Sequence, residues 1–132
     1  MQGASAIQAV LDEIPGDLAV FVIWEPVLKT DWERPRPAVL ARVSDKRARQ
    51  YWDKQTLVSE QARVALRDDP TPVFGDETLV TGEVVWDFVG VYERGVRWED
   101  RFPIPSFKGA PVVEAASPLK DRLEAMLASG QN

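Results

Sequence analysis

Two tryptophans and two carboxylates follow directly on an apolar run near the start of the chain. The stretch "FVIWEPVLKTDW", residues 21–32, begins like a buried strand and ends in polar and aromatic residues. Loops at strand ends are where α/β proteins place binding and catalytic groups. We therefore take the following residues as a candidate binding loop: Trp24, Glu25, Pro26, Asp31, Trp32, Arg34 and Arg36.

The two carboxylates, Glu25 and Asp31, allow two interpretations. They could act as an acid/base or cation-binding pair, which requires one carboxyl with a raised pKa. Alternatively the loop is solvated, with Asp31 capping a turn. Trp24 at a strand end could similarly serve packing or ligand contact.

The chain contains no cysteine and no histidine. Disulfides, thiol redox chemistry and cysteine nucleophiles are therefore excluded, as are histidine bases and the Ser-His-Asp triad. Ordinary zinc sites are excluded too, so that a metal could be held only by carboxylates and carbonyls. No EF-hand loop or glycine-rich phosphate motif is present. We expect no catalytic residue of these classes, no cofactor and no metal.

The charge is acidic overall but unevenly distributed. The net charge is -5 and the pI is near 4.8, which argues against a nucleic-acid partner. Residues 29–49 carry seven Lys/Arg against three Asp/Glu, a local balance of +4 that leaves -9 elsewhere. This basic segment is either a solvated face or a patch for an anionic partner. Lacking a signal peptide pattern or a run of about 20 apolar residues, the chain is expected to be cytoplasmic and not membrane-bound. A periplasmic location would need an export segment upstream.

Periodicity predicts the elements of the first half. A helix is expected over 5–14, capped by Ser5 and ended by Pro15-Gly16, followed by a strand over 18–24 that is buried on both faces. The further expected elements are a short helix over 37–43, a strand over 47–53 and a helix over 55–67 with Asp53 at its N-terminus.

The second half suggests a loop over 67–78 and then a hairpin. Its strands are 84–92, inside a sheet, and 96–102, at the sheet edge, joined by a turn at 93–95. Asp87 interrupts the first strand, where it either pairs with Arg97 or Arg101, is solvated, or is a secondary site residue. The stretch 102–111 is read as a connector, and a final helix over 118–128 is capped by Ser117.

This order of elements predicts an α/β chain of one domain, residues 1–132, with a thioredoxin-like three-layer fold: a mixed sheet, a closing β-hairpin and a C-terminal helix. Three stretches carry a resemblance: "VFVIWEPVLKTDW", "DKRARQYWD" and "VVWDFVGVYERGVRWEDRFPIP". Over roughly residues 5–115 the chain resembles a group of bacterial thioredoxin-like proteins of unassigned role. Redox relatives of that fold use a Cys-x-x-Cys pair, which this chain lacks. Either Glu25 and Leu28 stand at the two cysteine positions, or the pair would precede the helix at 5–14.

The resemblance implies a non-redox thioredoxin-like domain that binds a protein or peptide in a groove lined by Trp24, Pro26 and Trp32. One alternative is a fragment of an oxidoreductase whose cysteines lie upstream of this chain. Another is a carboxylate-based or metal-dependent hydrolase using Glu25, Asp31 and Asp87. If the central strand of the family is missing, residues 18–24 have an uncharged free edge, and a homodimer is expected.

Overall fold

The computed structural model describes residues 2–26, 33–81, 85 and 87–130. The chain is mixed α/β, with its strands in two small sheets. The elements are α1 (Gln2–Glu13), β1 (Val20–Trp24), α2 (Pro37–Leu40), β2 (Ala48–Trp52), α3 (Leu57–Arg67), β3 (Phe74–Gly75), α4 (Thr78–Thr81), β4 (Val89–Val91), β5 (Phe107–Ala110) and α5 (Val112–Gly130).

The elements predicted for the first half are confirmed, with shifted ends. Helix α1 begins three residues earlier than expected, so Ser5 lies inside it, and it ends just before Pro15-Gly16. Pro37 occupies the first turn of α2, where its missing N–H is not needed. Asp53 accepts the amide of Val58 at the N-terminus of α3 (2.7 Å) and so stabilises that helix as predicted.

Strands β1 and β2 form a parallel pair, in register from Val20 opposite Ala48 to Trp24 opposite Trp52. Within the described residues β1 has β2 as its only strand neighbour. The expectation of an interior strand buried on both faces is therefore wrong for this part of the chain. Burial alternates along both strands, leaving Phe21 60% exposed.

The second sheet has the order β3-β5-β4, with β5 parallel to β3 and antiparallel to β4. All four residues of β5 are buried, although the sequence predicted a connector there. Its lysine, Lys108, is neutralised by Asp69, whose Oδ2 lies 3.0 Å from Nζ. Strand β5 also contributes to both hydrophobic clusters: Phe107 packs with α1 and α5, and Ala110 packs with α3 and α4.

The predicted closing hairpin is corrected by the structure. The turn at 93–95 forms, with Gly95 at φ +89°, but 96–102 is not a strand, and β4 pairs instead with β5. Trp98 and Tyr92 each meet Phe102 edge-on, with ring centroids 5.1 and 6.2 Å away. The alternating apolar and charged residues of 96–102 therefore belong to an exposed segment that is not a strand, in which Trp98 packs against Phe102.

The final helix is longer than predicted. It begins at Val112 rather than 118, so that Pro118 lies inside it and Ser117 is not a cap. Helix α5 packs along α1 and on β5, burying Leu119 and Leu123 against Val10 and Ile14. Burial of this apolar stripe outweighs the helical hydrogen bond that Pro118 cannot donate.

The segment that leads into β2 is attached to α1 by Gln8, whose Oε1 accepts the amides of Ser44 (2.8 Å) and Asp45 (3.1 Å), and by Arg47. The Arg47 guanidinium donates to the carbonyls of Ile14 (2.7 Å), Gly16 (3.0 Å) and Leu11 (2.9 Å) at the end of α1. It also pairs with Asp45 at 2.8 Å. The amino end of the β1–β2 sheet is thereby held against the helix.

Arg47→Met should lower the free energy of unfolding by about 2–3 kcal/mol, because three carbonyls and one carboxylate lose their charged donor. The matched change Arg49→Met, at an exposed position within β2, should stay within about 0.5 kcal/mol. Urea unfolding of the two variants measures both. Equal effects would show that Arg47 does not carry this attachment.

Candidate functional site

The carboxyl ends of β1 and β2 bring two acidic side chains to one place. Glu25 follows β1 and Asp53 follows β2, and parallel strands end at the same edge of a sheet. The amide of Asp53 donates to the carbonyl of Trp24 at 2.8 Å, which extends the pairing by one residue. Of the predicted pair Glu25 and Asp31, only Glu25 lies within the described residues; Asp31 and Trp32 lie outside them. The carboxyl that Glu25 meets is that of Asp53, which the sequence assigned only to the helix terminus.

Both carboxyls contact the first turn of α3. Glu25 Oε2 accepts the amide of Ser59 (3.2 Å), and Ser59 Oγ donates to Glu25 Oε1. The same Oγ lies 3.3 Å from the carbonyl of Val85. Ser59 is almost completely buried. Glu25 therefore links the end of β1 to a buried residue in the first turn of α3.

The two carboxyls are hydrogen-bonded to each other, and this contact shifts the pKa of both. Burial, followed by the hydrogen bond with Asp53, raises the pKa of Glu25 to about 7, although the bonds from Ser59 act in the opposite direction. Burial would also raise the pKa of Asp53, but its hydrogen bonds with Glu25 and with the amides of α3 outweigh this and lower it. Below pH 7 the pair therefore carries a single negative charge at a helix N-terminus, where negative charge is favoured.

Trp24 is fixed by hydrogen bonds on the inner face of the sheet. Its Nε1 donates to Gln50 Oε1 (2.9 Å), and Gln50 Nε2 donates to the carbonyls of Leu40 (2.9 Å) and Val43 (3.0 Å). Trp24 is half-buried, as is Pro26 beside the carboxyl pair. This arrangement supports the packing interpretation of Trp24. Its hydrogen bond to Gln50 connects β1 and β2 to the end of α2 and to the residues that follow it.

Three further candidate site residues, Arg34, Arg36 and Asp87, form no ion pair among the described residues. Arg34 and Arg36 are exposed, and within the described residues neither forms a salt bridge. Asp87 is exposed at φ +50°, and the predicted ion pair with Arg97 or Arg101 is not formed. In the part of the chain that the structure describes, no three carboxylates cluster so that they could hold a metal ion.

The outer face of the β1–β2 sheet presents apolar side chains to solvent. Phe21 is 60% exposed, Tyr51 49% and Ile23 37%, and the rings of Phe21 and Tyr51 stack with centroids 6.4 Å apart. Arg49, opposite Phe21 in the register, completes this exposed sheet face. The sequence signal that could have located it is the alternation of β2, in which Arg49 and Tyr51 fall on one side and Gln50 and Trp52 on the other.

A shallow depression of about 330 Å³ adjoins the exposed sheet face at the amino ends of β1 and β2. It is lined by Leu18, Ala19, Val20, Phe21, Lys46, Arg47 and Arg49. Arg47 is neutralised by Asp45, whereas Lys46 and Arg49 form no salt bridge within the described residues. The lining therefore combines apolar residues with two cations, Lys46 and Arg49, that no described carboxylate neutralises.

No family model, curated protein or solved structure matches the chain. Among the described residues, no helix is long and apolar enough to span a bilayer. A function must therefore be argued from the geometry of the chain itself.

The carboxyl pair gives stability a defined pH dependence. Glu25 has a folded pKa of about 7 against an ordinary 4.5, so its contribution is fully present below pH 4.5 and is lost as pH rises through 7. Glu25→Gln should remove this loss, on the order of 1 kcal/mol once solvent screening of the half-buried group is allowed for. Urea unfolding at half-unit pH steps from 4.5 to 8 measures the difference between the two chains.

Glu60→Gln, an exposed change in the first turn of α3, is the control and should keep the wild-type slope. The raised pKa of Glu25 is refuted if Glu25→Gln and wild type lose stability in parallel over this range.

Proposed function

We propose that the chain is a cysteine-free thioredoxin-like domain that binds an extended segment of another protein along the free edge of β1. The observation that carries this proposal is the combination of an uncharged strand edge and the exposed sheet face on the same strand. Sheet edges of this kind accept a further strand through main-chain hydrogen bonds, while alternate side chains give selectivity.

The hydrogen-bond pattern supports the free edge. In a parallel pair, alternate residues of each strand bond to the neighbour. Val20 donates to Arg47 and Trp24 accepts from Asp53, so the even-numbered residues of β1 face β2. The main-chain groups of Phe21 and Ile23 consequently point away from β2, and the structure records no main-chain partner for them within the described residues.

The side chains support binding rather than protection of that edge. Proteins usually guard an exposed edge with charged residues, proline or a bulge. Strand β1, "VFVIW", has none of these. Aromatic and arginine side chains such as Phe21, Tyr51 and Arg49 are the types enriched at the centres of protein interfaces.

The order of elements supports the thioredoxin-like part of the proposal. Two parallel strands joined through a helix come first, and an antiparallel pair, β4 and β5, with a C-terminal helix packed on β5 comes last. Without cysteine this chain has no thiol chemistry, which is why we propose binding for such a fold.

The test is selection of a phage-displayed library of random 12-residue peptides on the immobilised chain, followed by fluorescence polarisation with the recovered peptides. Ile23→Lys places a charge on the edge at an exposed position, and it should weaken binding at least tenfold. Val64→Lys, on the exposed side of α3, is the matched control and should bind like wild type. The proposal fails if no selected peptide binds, or if Ile23→Lys binds as well as wild type.

A further inference from the structure

Given the proposed function, we infer that the bound segment is acidic and that its carboxylates lie over the amino end of the β1–β2 sheet. The partner is thus a protein segment that combines apolar residues with aspartate or glutamate. The inference rests on the distribution of charge around the exposed sheet face.

Two cations stand at this end without an acidic partner among the described residues. Arg49 lies beside Phe21, since the register places them opposite each other, and Lys46 lines the same depression. The neighbouring Arg47 does not add to this charge because Asp45 neutralises it. A strand lying along β1 would pass Phe21 and come within reach of both cations. A carboxylate there would form charge-assisted hydrogen bonds with the guanidinium of Arg49.

The opposite end of the same sheet has the opposite charge. Asp53 follows Arg49 by four residues, which is about 13 Å along a strand. There the pair of Glu25 and Asp53 carries at least one negative charge. A segment with its carboxylates at the amino end avoids this repulsion, so the charge gradient selects one placement of the partner.

A second copy of the chain fits these charges less well. An antiparallel pairing of two β1 strands about Val22 would match Phe21 with Ile23, which is apolar throughout. However, the carboxylate that this pairing brings toward the amino end, Glu25 of the second copy, is already held by Ser59 and Asp53, so it is not free to pair with Arg49 or Lys46. Two copies also carry -5 each, which opposes their association at low salt.

The test uses the peptides recovered from the library. We expect the selected sequences to alternate apolar residues with aspartate or glutamate. The tightest peptide is then synthesised in three forms: as selected, with Gln and Asn in place of its acids, and with Lys in their place. The amide form should bind at least tenfold more weakly than the selected form, and the lysine form more weakly still.

Arg49→Glu should abolish the preference for the acidic form, whereas Arg63→Glu, on the exposed side of α3, should retain it. Raising NaCl from 50 to 500 mM should weaken the acidic form alone. Equal binding of the acidic and amide forms would overturn this inference and leave the proposed edge binding intact. If neither the acidic nor the amide form binds the wild-type chain, both this inference and the proposed edge binding are overturned.

Sedimentation equilibrium tests the remaining possibility, that the segment bound at the edge of β1 belongs to a second copy of this chain. If the selected peptides match residues 18–24 and the wild-type chain dimerises while Ile23→Lys does not, the occupant is a second copy. That result would overturn the acidic partner while still supporting the edge.

Discussion

The parallel pairing of β1 with β2 is the constraint on which the rest of the site depends. Because the strands run the same way, the residues that follow them, Glu25 and Asp53, meet at one edge. Burial and contact with a second carboxyl together raise the pKa of Glu25 to about 7, because two charges at this half-buried position repel each other. The same pairing sets the alternation that turns Trp24 inward and leaves Phe21 and Ile23 outward.

Both ends of this small sheet are anchored, while no described strand pairs with the edge of β1 that faces away from β2. At the amino end Arg47 holds the sheet against the last turn of α1, and at the carboxyl end Glu25 and Asp53 hold it against the first turn of α3. A two-stranded sheet is marginal by itself, and these polar attachments supply what a covering layer would otherwise provide. A strand edge held in this way loses little entropy when another segment pairs with it, which favours binding.

Local periodicity was sufficient for the helices α1 and α3, whose hydrophobic pattern is long and regular, and the alternation of β2 was sufficient for that short strand. Local periodicity failed where a distant contact decides the structure. Strand β5 is four residues long and contains a lysine, and it is buried only because Asp69, 39 residues away along the chain, neutralises that charge. The proline signal at Pro118 likewise suggested a helix start, but packing of α5 on β5 extends the helix before it.

The candidate site divides in the same way. Glu25 was recognisable because it follows an apolar strand, and the terminus of α3 was recognisable from Asp53. That these two carboxyls touch could not be predicted, because only the register of β1 and β2 brings them together. The exposed sheet face was missed because "LAVFVIW" shows no alternation of polar and apolar residues. An apolar strand at a sheet edge has the same sequence pattern as a strand in the middle of a sheet.

The central claim, that β1 receives a partner strand at its free edge, is tested most directly by amide hydrogen exchange measured by NMR with and without a bound library peptide. The account predicts that the amides of Phe21 and Ile23, which point away from β2, gain protection on binding. The amides of Val22 and Trp24, already bonded to β2, should change much less. Protection confined to other elements, with Phe21 and Ile23 exchanging as fast as in the free chain, would contradict it.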